Sequence, residues 1–189
     1  MASTDSTKPS FAFSYGFATG NLHGRLMKRL LQQAGYKSAP LETADIIVAH
    51  SAGCWLMPDM AHPKLVIYVG MPLAKDHTRK TWLKTQLRKR RYWRRRYTRL
   101  LHVYYLLVRR KHNRKILKMA VSARPRLFPK AQTIFIANEH DLWPRGKILD
   151  EYVRSKPWTF IGLAGGHNNV WREPEKYVAI INHYAELLA

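Results

Sequence analysis

Cysteine is almost absent: Cys54 stands alone among 189 residues. A lone thiol excludes an intramolecular disulfide framework and any metal site built from several cysteines. Acids are scarce as well, 12 against 33 lysines and arginines, which leaves a formal net charge of +21. Long apolar runs are missing. The longest charge-free apolar stretch of note, residues 101–108, falls far short of the ~20 residues that span a bilayer. Residues 1–10 are polar and lack the apolar core of a secretory signal, so a frayed tail and a cytoplasmic protein are expected. What is present is length for one domain and a 46% hydrophobic content, enough for one sizeable core.

The charge is concentrated. Residues 73–124 contain no glycine and no proline, and they hold 19 basic residues against one acid, Asp76. The other 137 residues are nearly neutral. The chain therefore divides into a neutral domain and a basic insert. The insert bears on partners and the remainder on chemistry.

Outside the insert, short apolar runs alternate with helical patterns. Residues 11–14, 46–49, 65–69, 133–137 and 159–163 have strand length, and the middle ones are apolar throughout. Continuous apolar runs suit strands buried on both faces. Leu22, Leu26, Met27, Leu30 and Leu31 recur at helical spacing, with Gly35 closing the segment. Residues 148–153 suit a short helix, and Pro174 opens a last helix through Tyr177, Val178, Ile181, Tyr184 and Leu188. The alternation predicts an α/β fold: a mainly parallel sheet of about five strands with helices on both faces.

The most informative segment is Ile46-Ile47-Val48-Ala49-His50-Ser51-Ala52-Gly53-Cys54. A buried strand runs into a small-x-Ser-x-small turn, and a helix is expected to follow. A serine at the tip of such a turn needs small neighbours two before and two after it, so that strand and helix can approach. Ala49 and Gly53 supply them. Serine is a weak nucleophile until a base takes its proton. Asp141 follows the fourth apolar run, and His167 follows the fifth across Gly165-Gly166. Both positions lie past strand ends, where they can reach the edge that carries Ser51. Glu139 is a rival acid, and His140 suits a loop. His50 and His183 suit structural or solvated roles, Cys54 a packing role, and Asp45 a solvated strand start. Asp76 and His77 lack a third ligand at matching spacing, so no metal site is expected. A Rossmann-like domain with an ordinary strand-to-helix turn is the alternative.

The order Ser51, Asp141, His167 resembles that of the α/β-hydrolase superfamily, and more narrowly its small lipase/esterase-like serine hydrolases. The resemblance covers residues 11–17, 44–56, 65–72 and 133–189. It implies Ser51 as nucleophile, His167 as general base and Asp141 as orienting acid. It implies the backbone N–H of Ala52 as one oxyanion donor. Phe17 is the second, following Tyr15-Gly16 where the family has His-Gly. No cofactor is implied, and the substrate class is a small-molecule or lipid ester. In this family helices that cap the site are inserted after the strand that follows the nucleophile, which is where residues 73–124 stand.

Taken as one helix, residues 82–108 present Lys84, Arg88, Arg91, Arg95 and Arg99 as a basic stripe, with Leu83, Leu87, Tyr97, Leu101, Tyr104 and Val108 roughly opposite. A second amphipathic piece is expected at 116–121. Three roles compete for the insert: a solvated lid, a helix that docks on an anionic membrane surface, and a nucleic-acid-binding arm. The second would make the protein peripheral to the inner membrane surface. The third, without catalysis, would make the chain a binding module.

Overall fold

The structure is a computed structural model, described over residues 8–16, 19–71, 96–119, 127–140 and 155–188, with backbone alone at 96–99, 101, 102 and 117. Its strands are β1 (Ser10–Ser14), β2 (Lys37–Ser38), β3 (Ile46–His50), β4 (Leu65–Val69), β5 (Gln132–Asn138) and β6 (Thr159–Leu163). Its helices are α1 (Arg25–Gln33), α2 (Arg96–Val108), α3 (Arg110–Met119), α4 (Asn169–Arg172) and α5 (Pro174–Glu186).

All strand pairs are parallel, in the order β2-β1-β3-β4-β5-β6. The sheet thus has six strands where about five were expected. The extra one is the two-residue β2, too short to show a hydrophobic period, yet it pairs with Ser10 and Phe11. Ser10, expected in the tail, belongs to β1 and bonds Asp45.

Every residue of β3 and β4 is buried, which explains their unbroken apolar runs. Alternate residues serve opposite faces. Ile46, Val48, Leu65 and Ile67 pack with Met27 and Leu31 of α1 and with Tyr177, Val178 and Ile181 of α5. Ile47, Ala49, Val66 and Tyr68 pack with Cys54, Trp55 and, from α3, Ile116. Helices therefore cover both faces, and part of the basic insert closes one of them. The α1 stripe is narrower than the sequence suggests, since Leu22 precedes the helix and both it and Leu26 are exposed. The edge strand β6 is half-exposed, with Phe160 stacked on Phe135 at 5.7 Å.

The insert breaks after residue 108, where the expected helix ends, and the second piece starts earlier than 116. α2 ends at Val108 and α3 starts at Arg110. At the junction the Tyr105 carbonyl accepts both the Arg109 N–H at 3.1 Å and Asn113 Nδ2 at 2.9 Å. Residues 148–153, Asp76 and His77 lie outside the described residues. Among the described residues no helix is long and apolar enough to cross a membrane.

Candidate active site

The chain runs from β1 outward to β2 and then returns to β3 on the other side of β1. Strand order reverses there, and the loops leaving β1 and β3 at their C-terminal ends diverge around a crevice. Ser51 follows the last residue of β3 at this edge. Its φ of 54° is the only left-handed backbone angle at a non-glycine among the described residues. Such a conformation costs about 1–3 kcal/mol and persists only where surroundings enforce it. Ser51 is only 8% exposed.

The surroundings are visible. A Cβ on Gly53 would strike the backbone of Ser14 and Tyr15, and Ser14 Oγ donates to the carbonyl of Gly53 at 2.7 Å. A Cβ on Gly16 would stand 2.9 Å from Ser51 Cβ and 3.3 Å from the Ala52 nitrogen. The loop after β1 is thereby laid directly against the serine turn, next to the Ala52 amide. Ala49 is fully buried, and its carbonyl accepts from Cys54 Sγ at 3.4 Å. Burial pushes the Cys54 thiol well up, which keeps it a neutral packing group. The expected helix after Ser51 is a five-residue 3-10 turn, Ser51–Trp55.

His167 lies beyond β6, after Gly165, whose φ of 118° turns the loop. His50 ties this loop to the serine turn. Trp171 Nε1 donates to His50 Nδ1 at 3.3 Å, so the proton sits on Nε2, which donates to the carbonyl of His167 at 2.8 Å. The two imidazole centroids are 4.7 Å apart. The residue preceding the candidate nucleophile thus holds the backbone of the candidate base. Trp171 also packs on Phe13 and Tyr15 at 5.8 and 5.5 Å, joining the three loops.

Asp141 and Phe17 lie outside the described residues, as do Lys84, Arg88, Arg91 and Arg95; Arg99 is described in backbone only, within α2. The chain is described up to the residue before Asp141. The amides of Glu139 and His140 donate to the carbonyls of Leu163 and Gly165 at 2.9 and 2.8 Å. This carries the end of β5 alongside the loop that leads to His167.

Asp45 is not simply solvated. Burial alone would raise its carboxyl, but Ser10 and Lys64 hold it below the ordinary carboxylate range. His50, only 1% exposed, is fully enclosed. Sequence reasoning missed its bridging role, although a buried strand that ends in histidine must find partners for both ring nitrogens. Trp171 carried no comparable signal. Among the described residues no cluster of three His, Cys, Asp or Glu could hold a metal ion.

No family model matches the sequence, and no curated protein is significantly similar to it. Solved structures do match. A carboxylesterase structure from Nitrososphaera gargenis aligns with a TM-score of 0.62 at 12% identity, covering 97% of this chain and 92% of that one. Potato (Solanum tuberosum) epoxide hydrolase I gives 0.58 at 14%, covering 95% and 93%. A methylesterase from Arabidopsis gives 0.56 at 14%, covering 95% and 99%.

Proposed function

The chain has the α/β-hydrolase fold, and we propose that it uses this scaffold as a serine hydrolase of carboxylic esters. The observation that carries the reading is the left-handed Ser51 at the C-terminal end of β3, with the His167 loop bonded to the residue before it. Carboxylesterase and methylesterase structures among the neighbours support ester substrates.

In this mechanism the Ser51 hydroxyl passes its proton to the His167 imidazole as Oγ attacks the ester carbonyl. Asp141 orients and stabilises the resulting imidazolium. The N–H groups of Ala52 and Phe17 receive the tetrahedral oxyanion. His167 then gives its proton to the leaving alcohol as the C–O bond breaks, and an acyl-Ser51 ester remains. Water attacks that ester, His167 takes its proton, and the acid leaves as Ser51 recovers its hydrogen. No group beyond the chain and water is required.

The basic insert acts in this reading as a cationic amphipathic lid that docks on anionic lipid. On α2 the side chains of Leu100, Val103, Tyr104, Leu107 and Val108 are exposed. On α3 Arg110, Lys111, Arg114, Lys115 and Lys118 are exposed, and no acid occurs between residues 77 and 138. Apolar and basic side chains together suit the headgroup boundary of an anionic leaflet.

The test is reaction with a fluorophosphonate, with and without anionic vesicles, and mapping of the adduct. An adduct on Ser51 that requires His167, and an ester turnover that falls on the order of 10⁶-fold in Ser51→Ala, are expected. Ester hydrolysis retained by a folded Ser51→Ala would overturn the assignment. Stimulation by vesicles is expected from the lid. Equal rates with neutral and anionic vesicles would remove the lipid-docking part.

A further inference from the structure

Three side chains of the insert reach back to the loop after β1, and their targets are all backbone. Tyr105 Oη accepts the N–H of Leu22 at 2.7 Å. Arg109 Nη1 donates to the carbonyl of Thr19 at 3.0 Å. His112 Nε2 meets the carbonyl of Tyr15 at 3.2 Å, while Arg109 Nη2 meets His112 Nδ1 at 3.2 Å. A guanidinium has no acceptor, so Nδ1 accepts and the proton on Nε2 goes to Tyr15. The bonds grip the loop on both sides of residues 17 and 18.

Sequence pattern gives no reason for a basic insert to turn an arginine inward, yet Arg109 does so at the break between α2 and α3. Its guanidinium is half-buried, 5.9 Å from the centre of the Tyr15 ring. Asn113 braces this junction, its Nδ2 donating to the Tyr105 carbonyl and its backbone N–H to the Arg109 carbonyl at 2.8 Å. Gly20 lies where a Cβ would collide with the Tyr105 ring. The gripped loop is the one whose Gly16 abuts Ser51 Cβ and the Ala52 nitrogen.

We infer that Tyr105, Arg109 and His112 form a latch through which the helical insert positions the β1 loop beside the Ala52 amide. They are positioning residues for the hydrolysis rather than groups that touch substrate. The inference rests on the ester-hydrolase reading for its catalytic consequence. Its structural content, that the insert holds the loop, stands independently. The latch needs neutral His112, because a proton on Nδ1 would displace the Arg109 donor. Burial first, then Arg109 and more weakly Lys115, disfavour that proton, and the backbone at Tyr15 and Gly16 opposes them. Tyr15 and Tyr105 are the other titratable groups coupled to this cluster through Arg109, and burial holds Tyr15 protonated.

The experiment uses the full chain and four variants: Arg109→Ala, Arg109→Lys, His112→Ala and His112→Gln. Hydrogen exchange is followed at the amides of residues 15–22, and kcat and KM are measured on a small soluble ester. The alanine variants are expected to speed exchange in the loop while β3 and β4 stay protected. They are expected to lower kcat about 10²-fold, the scale of a roughly 1 Å misplacement, with KM changed less than about twofold. His112→Gln keeps a donor for Tyr15 without a titratable ring and should recover most of kcat; Arg109→Lys keeps the charge but only one anchor and should recover less. Unchanged loop exchange in the alanine variants overturns the latch. Faster exchange with unchanged kcat overturns its positioning role. A wild type without Ser51-dependent turnover overturns the hydrolase reading, and the catalytic role with it, while exchange alone still decides whether the insert holds the loop.

Discussion

Two segments of similar apolar content behave oppositely in this molecule. From Ile46 to Trp55 all ten residues are buried. In α2, Leu100 and Leu107 are 70% and 71% exposed, with Val103, Tyr104 and Val108 also open to solvent. The first segment is fixed by its neighbours on every side. It tolerates a left-handed serine because Gly16, Gly53 and Ser14 leave the backbone no other course. In the second, Tyr105 alone is buried among the described side chains, and most of the described apolar surface stays open. Burial of a residue type thus follows from what surrounds it, and the same composition serves an enclosed turn in one place and an open surface in the other.

The comparison breaks most sharply at Gly53. A methyl there meets the backbone of Ser14 and Tyr15, neither of which is the far end of a flexible side chain. Gly53→Ala should cost about 3 kcal/mol or more, read as a lowered denaturant midpoint. A midpoint within experimental error of the wild type would mean that the turn is looser than its contacts indicate. The next effect lies at His50. His50→Ala leaves the Trp171 N–H and the His167 carbonyl without their shared partner. The expected loss is about 1–3 kcal/mol of stability, with a fall in kcat that exceeds any change in KM. A variant with normal kcat would show that the His167 loop keeps its place without the bridge.

How much of this was legible beforehand follows the same division. β3 through β6 were legible because each apolar run of strand length is a strand. The serine turn was legible because its chemistry restricts residue size at two positions. The two-residue β2 was not, since a strand that short carries no period. The helix after Ser51 shrank to a single 3-10 turn because propensity does not set helix length in a crowded turn. Of the candidate residues, Ser51 and His167 lie just past strand ends, as their places in the sequence indicate. The bridge through His50 and Trp171 depends on a contact across 121 positions of chain, for which a single sequence holds no pattern. In the insert the stripe's end at residue 108 is the end of α2, while the second helix starts at Arg110, earlier than its apolar residues indicate, and the contacts of Arg109 and Asn113 carry no periodic signal.

The exposed face of α2 gives a third, smaller effect on the fold. Leu100→Ser with Leu107→Ser removes apolar surface that contacts little, so stability should stay within about 0.5 kcal/mol. Each leucine is worth about 1.5–3 kcal/mol when fully buried. Partial insertion at a headgroup boundary should therefore make the pair matter about 10- to 100-fold in affinity for anionic vesicles. Equal sedimentation of wild type and double variant with such vesicles would show that this face does not enter the bilayer boundary.

The smallest effect concerns the start of the buried segment. Asp45 precedes β3 and accepts both the N–H and the Oγ–H of Ser10, so it ties β1 to β3 at the end of the sheet opposite the serine. Burial alone would raise its carboxyl; the Ser10 bonds and Lys64 outweigh that and lower it. A carboxyl lower in the folded state than in the unfolded chain, near 3.9 there, binds its proton later as pH falls. Its contribution is therefore complete above the unfolded value and disappears as pH drops through the folded one. Asp45→Asn should leave a melting curve that is slightly lower at neutral pH and converges on the wild type in acid. Because the Lys64 side chain is largely open to solvent, high salt should shrink its share and spare the Ser10 share. A difference that grew toward low pH would assign the shift to some group other than Asp45.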